Sequence, residues 1–593
     1  MSNRVLVALV LAVLAAWQPQ ARSAAPRFFS DDPLTREPDS QDASGVQPWT
    51  VGLAFDLLWN LFGDPGDRAM DVPALNANTI GEVPDGSWFT NRLGRRTLTA
   101  EEIARGPNVN GGPAEGTWTL VSAKTDGVTP GFTIRDSAGV LWFLKFDPPG
   151  HRGMMSGTEV AVTKLAWALG YHVPENYLSR LHRDRLEIRE GATFQPLGRA
   201  RRVMQAGDVD DLLERVDRDA DGSYRVVASR ALPGTPLGPF RFYDTRPDDP
   251  NDVVPHEHRR ELRGLAVFAA WLNHVDAKSG NSLDTLITDD DTGRKQVRHH
   301  LIDFGSTLGS GSLEPRHYWE GYEYMVQPGS VGRGIAGLGF ALRPWHTARF
   351  IETPHVGRLP ADHSEWHPDD WRPRVPNPAF VRARPDDRFW AARILAAMSD
   401  DLITAAVKSG QYGDEESERI VIRALIDRRD AILRAYLPAV NPVVDPVLER
   451  RTLTFRNAAV DARVAEAPES YRAQWHRFDN ATGEVTSIGE TSSSRPEIAA
   501  PADLPSAEGT YLRVDVAASG GRAEWQRPAH LYFRRSGEGW KLVGLYRLGD
   551  EPTASGERLR FGRLGGAADY GLASASGSAA SPPSSASRAA AGI

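Results

Sequence analysis

Cysteine is absent from all 593 residues of the chain. The protein therefore cannot be a disulfide-stapled scaffold, and it lacks the cysteine that carries the lipid of a bacterial lipoprotein. Its stability must come from packing of its core. With 41% hydrophobic and 25% charged residues, the composition is that of an ordinary globular protein with enough apolar material for such a core.

Long apolar runs and blocks of basic residues are also missing. After the N-terminus, no run is long and apolar enough to cross a bilayer, so we expect no transmembrane segment after signal cleavage. The net charge of −8 and the pI near 6.1 argue against a general nucleic-acid binder. No cluster of Lys or Arg suggests a polybasic membrane patch.

The N-terminus has the pattern of an export signal. A short basic segment, MSNR, precedes an apolar run of 13 residues, and Ala21-Arg22-Ser23 fits a small-x-small cleavage site. The alternative is a membrane anchor, but 13 apolar residues are short for a hydrocarbon core of ~30 Å. We interpret residues 1–23 as a cleaved signal peptide. Together with the absence of cysteine, this predicts a periplasmic or secreted bacterial protein whose mature chain begins near Ala24.

The length predicts two or more domains at the usual size of ~150 residues each. Residues 24–114 form an N-terminal extension, and a main domain covers residues 115–440. The segment Pro438–Pro446, PAVNPVVDP, is interpreted as a linker between independently folding units. Beyond it, a β-rich accessory domain is predicted over 447–560. An Ala/Ser/Gly/Pro-rich tail at 567–593 is predicted to be disordered.

The stretch with the most candidate functional residues runs from Trp271 to Gly309. An apolar helix ends near Asn273 and is followed by Asp276, Lys278 and Asn281, spaced as D-x-K-x-x-N. Two short strands joined by an Asp-rich turn then lead to Asp303-Phe304-Gly305. Each motif alone occurs by chance, and ordinary surface Asp and Asn residues are the alternative. The two motifs in this order, joined by a hairpin, are much more specific.

Upstream, a hairpin over Phe132–Arg135 and Val140–Phe146 carries Lys145 in an otherwise apolar strand. A buried lysine is costly unless it is paired or bound to an anion. The next predicted helix begins at Thr158 and places Glu159 in its first turn. The alternative is a surface lysine and a glutamate favoured there by the helix dipole.

These residues together resemble the protein-kinase-like superfamily, in particular its atypical HipA-like and phosphatidylinositol-kinase-like branch. HVDAKSGN at 274–281 lies over the pattern H-R-D-L-K-x-x-N, and IDFG at 302–305 lies over the D-F-G segment. The resemblance covers roughly residues 115–440 and depends on five short motifs. It implies an α+β, bilobal protein-kinase-like fold, with a β-rich N-lobe at about 115–233 and a helical C-lobe at about 234–440. The small antiparallel β module follows.

The resemblance also implies a role for each residue, with ATP and Mg²⁺ or Mn²⁺ as cofactors. Asp276 would orient an acceptor hydroxyl and take its proton, and Lys278 would steady the transferring phosphoryl group. Asn281 and Asp303 would hold the metal, since hard oxygen ligands suit Mg²⁺. Lys145 and Glu159 would form the ion pair that grips the nucleotide phosphates.

The phosphate-binding loop departs from the family pattern. Residues 124–131, which include Gly127 and Gly131, stand where a G-x-G-x-x-G loop is expected. Their backbone N–H groups would cradle phosphate, and an ordinary hairpin turn is an equally good interpretation.

Two further patterns stay open. Val51–Phe62 is an apolar helix that either lies on a membrane surface or docks on the main domain; it lacks a basic face, which favours docking. Three tryptophans and a tyrosine of the β-rich region line either a carbohydrate or peptide face or a core, and core packing is favoured: Trp475, Trp525, Trp540 and Tyr532.

The sequence therefore predicts an exported, ATP-dependent phosphotransferase. The alternatives are a pseudokinase that serves as a binding or scaffold module, and transfer of a nucleotidyl group by the same fold. The acceptor, whether protein, sugar or lipid, is not identified by the residues.

Overall fold

The computed structural model describes residues 27–30, 39–63, 71–124, 130–196, 199–326, 343–363 and 366–549. The expected signal peptide at 1–23, the tail at 567–593 and Gly127 lie outside these residues. Within them the protein is a mixed α+β structure, as the sequence predicts.

The described residues form eleven α-helices. In chain order these are α1 (Leu53–Phe62), α2 (Ala100–Arg105), α3 (Met154–Leu169), α4 (Ala206–Leu213), α5 (Arg260–Leu272), α6 (Pro344–Thr347), α7 (Pro378–Val381), α8 (Pro385–Ala396), α9 (Asp400–Lys408), α10 (Glu415–Tyr436) and α11 (Ala458–Asp461).

The strands of the first 400 residues are β1 (Trp118–Lys124), β2 (Gly131–Arg135), β3 (Leu141–Phe146), β4 (Asn176–Leu181), β5 (Leu186–Gln195), β6 (Arg202–Val203), β7 (Tyr224–Arg230), β8 (Thr235–Gly238), β9 (Ser282–Thr288), β10 (Lys295–Leu301), β11 (Phe350–Thr353) and β12 (Gly357–Pro360). The C-terminal strands are β13 (Val443–Glu449), β14 (Thr452–Asn457), β15 (Ser470–Phe478), β16 (Val485–Ser493), β17 (Glu497–Ala499), β18 (Tyr511–Ser519), β19 (Ala529–Ser536) and β20 (Gly539–Tyr546).

A seven-stranded sheet is built around the predicted hairpin. Its strand order is β4-β7-β3-β2-β1-β5-β6, and only the β1–β5 pair is parallel. The sheet has a core of its own, in which the aromatic side chains of Trp118, Trp142 and Phe146 pack with Leu212 of α4. Lys145 lies on β3, between β2 and β7, so its backbone is held on both sides.

The helices of the middle of the chain pack around a second, larger core. Helix α5 is buried along most of its length and packs against α8 and α10, while β8, β9 and β10 form a three-stranded sheet beside it. The N-terminal extension contributes to the same core through Trp88 and Phe89. This packing fixes the end of α5, from which the D-x-K-x-x-N loop begins.

The C-terminal part is β-rich, with a five-stranded antiparallel sheet in the order β16-β15-β18-β19-β20 and a smaller sheet of β13, β14 and β17. Trp475, Trp525 and Tyr532 are almost completely buried, so these three aromatic residues serve the core.

The segment interpreted as a linker is part of the packed structure. Strand β13 begins at Val443, before the expected start of the accessory domain, and Val440, Val443 and Val444 are buried. They belong to the same continuous core as α5 and Trp475. Hydrophobic packing therefore continues through this proline-rich stretch.

Across the part of the chain that the structure describes, no helix has the length and apolar character needed to cross a membrane. For these described residues, the finding agrees with the expectation of no transmembrane segment after signal cleavage.

Candidate functional site

Lys145 lies at the centre of the site that the sequence predicts. Its ammonium group contacts Glu159 Oε2 at 3.1 Å and Asp303 Oδ1 at 2.8 Å, and 23% of its side chain is exposed. Burial alone would lower the pKa of Lys145, but the neighbouring carboxylates of Asp303 and Glu159 outweigh it and raise the pKa above its usual value. The two carboxylates therefore favour the charged form of Lys145, which bridges them.

Glu159 lies on α3, but in a different turn from the one expected. The helix begins at Met154, not at Thr158, because Asp147 caps its N-terminus by accepting hydrogen bonds from the backbone N–H groups of Gly153, Met155 and Ser156. The expectation that Glu159 lies in the first turn is wrong, and stabilisation by the helix dipole does not account for it.

The side chain of Glu159 is instead used for contacts across the site. It is 1% exposed and accepts hydrogen bonds from the N–H groups of Phe304 at 3.1 Å and Gly305 at 2.8 Å. The side-chain amide of Asn176, on β4, donates to Glu159 Oε1 at 3.2 Å, the oxygen that also accepts from Phe304. These donors and the lysine partner offset the hydration that the carboxylate loses on burial.

Asp303 follows β10 in an unusual backbone conformation, with φ at +63°. Aspartate tolerates this left-handed region better than most residues, and such a conformation often marks a functional position. The preceding residue, Ile302, donates its N–H to the carbonyl of Asn281 at 3.0 Å. Asp303 is thereby joined to the D-x-K-x-x-N loop, and 48% of its side chain stays exposed.

The loop itself is closed by its own polar groups. Asp276 accepts from Lys278 Nζ at 2.8 Å and from Asn281 Nδ2 at 3.0 Å. Asn281 ends a short 3-10 turn over Ser279–Asn281 and is 8% exposed. Because its Nδ2 also donates to the Asp276 carbonyl at 2.9 Å, the amide is fixed in one orientation.

His274 is the first residue of the 274–281 motif, and the sequence gives it no separate role. It is 4% exposed, and its ring lies 5.4 Å from the ring of Phe304. Burial, helped by the nearby Arg316 charge, outweighs the opposing effect of the Asp276 and Asp303 carboxylates and lowers the pKa of His274 to about 4. The neutral imidazole therefore packs the loop against the D-F-G segment.

One more charged residue, Arg374, reaches the loop from the long irregular region after Asp303. Arg374 Nη1 lies 3.6 Å from Asp276 Oδ1, and its Nε donates to the buried carboxylate of Glu320. The backbone N–H of Arg374 donates to the Val275 carbonyl at 2.8 Å. Sequence reasoning missed Arg374 because the stretch around it, RPRVPNP, has no periodicity and lies far along the chain.

The glycine loop is described in part. Gly131 opens β2 and pairs in register with Lys145, and a Cβ there would come within 2.7 Å of the Leu144 carbonyl oxygen. Only glycine allows the strands to approach this closely beside Lys145. Gly127 falls in the residues that the structure does not describe.

The predicted residues thus fall into two linked groups, Lys145–Glu159–Asp303 and Asp276–Lys278–Asn281. In the described residues, no three His, Asp or Glu side chains are clustered as metal ligands. A cavity of about 510 Å³ lies elsewhere, between α8, α10 and β13, and none of these residues lines it.

The two linked groups of residues are suited to binding an anion and accepting a proton. Together they combine an exposed carboxylate, Asp303, with a fixed lysine and a second carboxylate, Asp276, flanked by Lys278 and Arg374. An anionic ligand would find cations on both sides, and a hydroxyl near Asp276 would find a base. No known protein family, curated protein or solved structure was found to match this chain.

Proposed function

We propose that this protein is an exported kinase-like phosphotransferase that moves the γ-phosphoryl group of ATP to an acceptor hydroxyl. One observation carries the proposal: Lys145 bridges Glu159 and Asp303, and Asp303 is in turn joined through Ile302 and Asn281 to Asp276. The five residues come from segments that are far apart in the sequence, and they lie in one connected network.

The fold proposed with this function is a bilobal kinase-like arrangement. Two features support it. The seven-stranded sheet has a hydrophobic core separate from that of the helices, and Glu159 of α3 connects the lysine of that sheet to the segment after β10. A ligand between Lys145 and Asp276 would contact both parts.

The residues present fit a nucleotide with a divalent cation. Asp303 offers a carboxylate that is half-exposed, and Asn281 keeps its amide nitrogen on Asp276, so its Oδ1 is the atom suited to a metal. Mg²⁺ commonly takes one or two protein oxygens and completes its shell with phosphate and water, so a three-carboxylate cluster is not required. Bound MgATP would supply the phosphoryl group and offset its charge.

The chain's own residues would do the rest. Lys145, held in place by Glu159, would bind phosphate oxygens when Asp303 turns to the metal. Lys278 and Arg374 would offset negative charge near Asp276. Asp276 would accept the proton of the acceptor hydroxyl, a contribution of typically ~10²–10⁴-fold in rate.

Calorimetry with a non-hydrolysable ATP analogue and Mg²⁺ tests the proposal. Wild type should bind, Asp303→Ala should abolish metal-dependent binding, and Lys145→Ala should weaken it. Asp276→Ala should leave binding nearly intact while abolishing transfer. Asp291→Ala is the matched control, because Asp291 is exposed in the turn between β9 and β10.

The outcomes separate the alternatives. Absence of binding by wild type would favour the scaffold interpretation and overturn the proposal. Unchanged binding by Asp303→Ala would refute the metal assignment. Release of AMP and pyrophosphate instead of ADP from ATP would indicate nucleotidyl transfer by the same residues.

A further inference from the structure

Helix α1 has the reverse of the burial expected for a surface helix. Asp56 and Asn60 are each 4% exposed, whereas Phe55, Leu58 and Phe62 are 62%, 56% and 67% exposed. Positions i, i+3 and i+7 lie on one face of a helix, so the three apolar side chains form a continuous stripe. The polar face is turned inward and the apolar face outward.

The inward orientation is fixed by contacts with the D-x-K-x-x-N loop. Asp56 Oδ2 accepts a hydrogen bond from Ser279 Oγ at 2.9 Å, and Ser279 begins the 3-10 turn that contains Asn281. Trp59 stacks between Phe55 and Tyr243, with ring centroids at 5.7 and 6.4 Å. The helix is thus attached to the candidate site by its polar side, and the stripe lies on its far side.

The area and chemistry of the stripe indicate what covers it. A ten-residue helix is ~15 Å long and ~10 Å wide. The area of one of its faces is therefore far below the ~800 Å² that each partner buries in a stable protein interface. A bilayer interface has no such minimum, since partitioning scales with the apolar area inserted. Phe, Trp and Leu are the side chains that partition there.

The lack of basic residues around α1 indicates that the surface covering the stripe is uncharged. The only charged residue of α1 is Asp56, which is buried against the loop, and no Lys or Arg occurs from residue 39 to 63. Attraction to anionic lipids or to nucleic acid would need cations on this face.

We propose that α1 seats on the surface of a neutral lipid bilayer and holds the candidate catalytic loop about one helix diameter from the headgroups. The acceptor is then a hydroxyl of a lipid headgroup, a part of the proposal that rests on the proposed phosphotransferase function. The headgroup oxygen forms the new O–P bond as the bond from the γ-phosphorus to the leaving ADP oxygen breaks, and the hydroxyl proton passes to Asp276.

Vesicle flotation of the mature chain tests the membrane surface without any need for activity. With phosphatidylcholine vesicles, wild type should float, and the triple variant Phe55→Ser, Leu58→Ser, Phe62→Ser should float at least tenfold less. The single variant Phe62→Ser should fall between them. The matched control is Val109→Ser with Val203→Ser, two apolar residues that are 74% and 66% exposed elsewhere and should have no effect.

Vesicle binding should be the same at 50 and at 500 mM salt, although the Debye length changes on the order of threefold over this range. No flotation of wild type, or flotation only with anionic vesicles at low salt, would overturn the membrane surface. So would a wild-type dimer that the triple variant converts to a monomer without vesicles, because a second copy would then cover the stripe.

The acceptor is tested separately, by ADP release with phosphatidylcholine vesicles that contain a neutral glycolipid. Wild type should release ADP faster with the glycolipid than without it, and the triple variant should lose this increase while still binding the ATP analogue. Vesicle binding with nucleotide binding but no such increase would overturn the lipid acceptor. Vesicle binding without nucleotide binding would overturn the proposed function and leave the membrane surface supported.

Discussion

Glu159 and Gly305, which are far apart in the chain, are joined by a hydrogen bond in which the N–H of Gly305 donates to Glu159 Oε2 at 2.8 Å. The same oxygen pairs with Lys145 Nζ at 3.1 Å. One buried carboxylate oxygen therefore sets the distance between the lysine of β3 and the segment that carries Asp303. A substitution at Glu159 or at Gly305 should therefore disturb the positions of both Lys145 and Asp303.

Replacing Glu159 with Ala should lower the free energy of unfolding by about 3 kcal/mol, because two buried N–H groups lose their acceptor and Lys145 loses one of two partners. Glu159→Gln keeps an oxygen for the N–H groups and should lose about half as much. Urea unfolding measures both. Equal losses in the two variants would show that the N–H contacts contribute nothing.

Gly305→Ala should lower the free energy of unfolding by about 1–3 kcal/mol. The added Cβ would lie 2.9 Å from Met155 Cγ and 3.1 Å from Glu159 Oε2. Binding of the ATP analogue should weaken as well, since Asp303 would shift with its neighbour. Gly207→Ala on α4 is the control: a Cβ there meets nothing within 4 Å, and the change should be neutral or slightly stabilising. Similar losses at both positions would contradict the crowding argument.

Acid should destabilise the protein through His274. Its pKa is lowered to about 4 in the folded protein, against an ordinary value near 6.5, so the unfolded chain binds the proton more readily. Stability is then lost as the pH falls from about 6.5 towards 4, by on the order of 2–3 kcal/mol for this group. His274→Phe should flatten this part of the pH–stability curve, measured by urea unfolding at each pH.

The exposed His317 supplies the control for that experiment. His317→Phe should leave the slope between pH 6.5 and 4 as it is in wild type. An unchanged slope in His274→Phe would mean that other groups account for the acid sensitivity.

Phe28→Ala should destabilise the β-rich region by about 3–5 kcal/mol. Phe28 is 1% exposed and packs against Tyr532 and Phe478 at 5.0 and 6.0 Å, and its N–H donates to Asn480 Oδ1 at 2.9 Å. Thermal unfolding of the mature chain measures the loss. The adjacent Phe29, which is 37% exposed, is the control, and Phe29→Ala should cost well under half as much.

Features that depend on neighbouring residues could be predicted from the sequence. The hairpin that carries Lys145 formed where the local pattern indicated, and α2 and α10 are capped by residues beside them in the sequence, Thr99 and Asp414. The reason is that turn chemistry, capping and alternation act over a few residues, so their energetics are contained in the local sequence.

The tertiary structure decided what long-range contacts control. Helix α3 begins early because Asp147, on the far side of a turn, caps it; Arg374 reaches Asp276 because its backbone pairs with Val275; and α1 turns its apolar face outward because Asp56 binds Ser279. No periodicity encodes these partners. The sequence determined which charged and polar residues are available for a site, and the folded chain determined which of them meet, since contact between distant segments depends on the packing of the whole core.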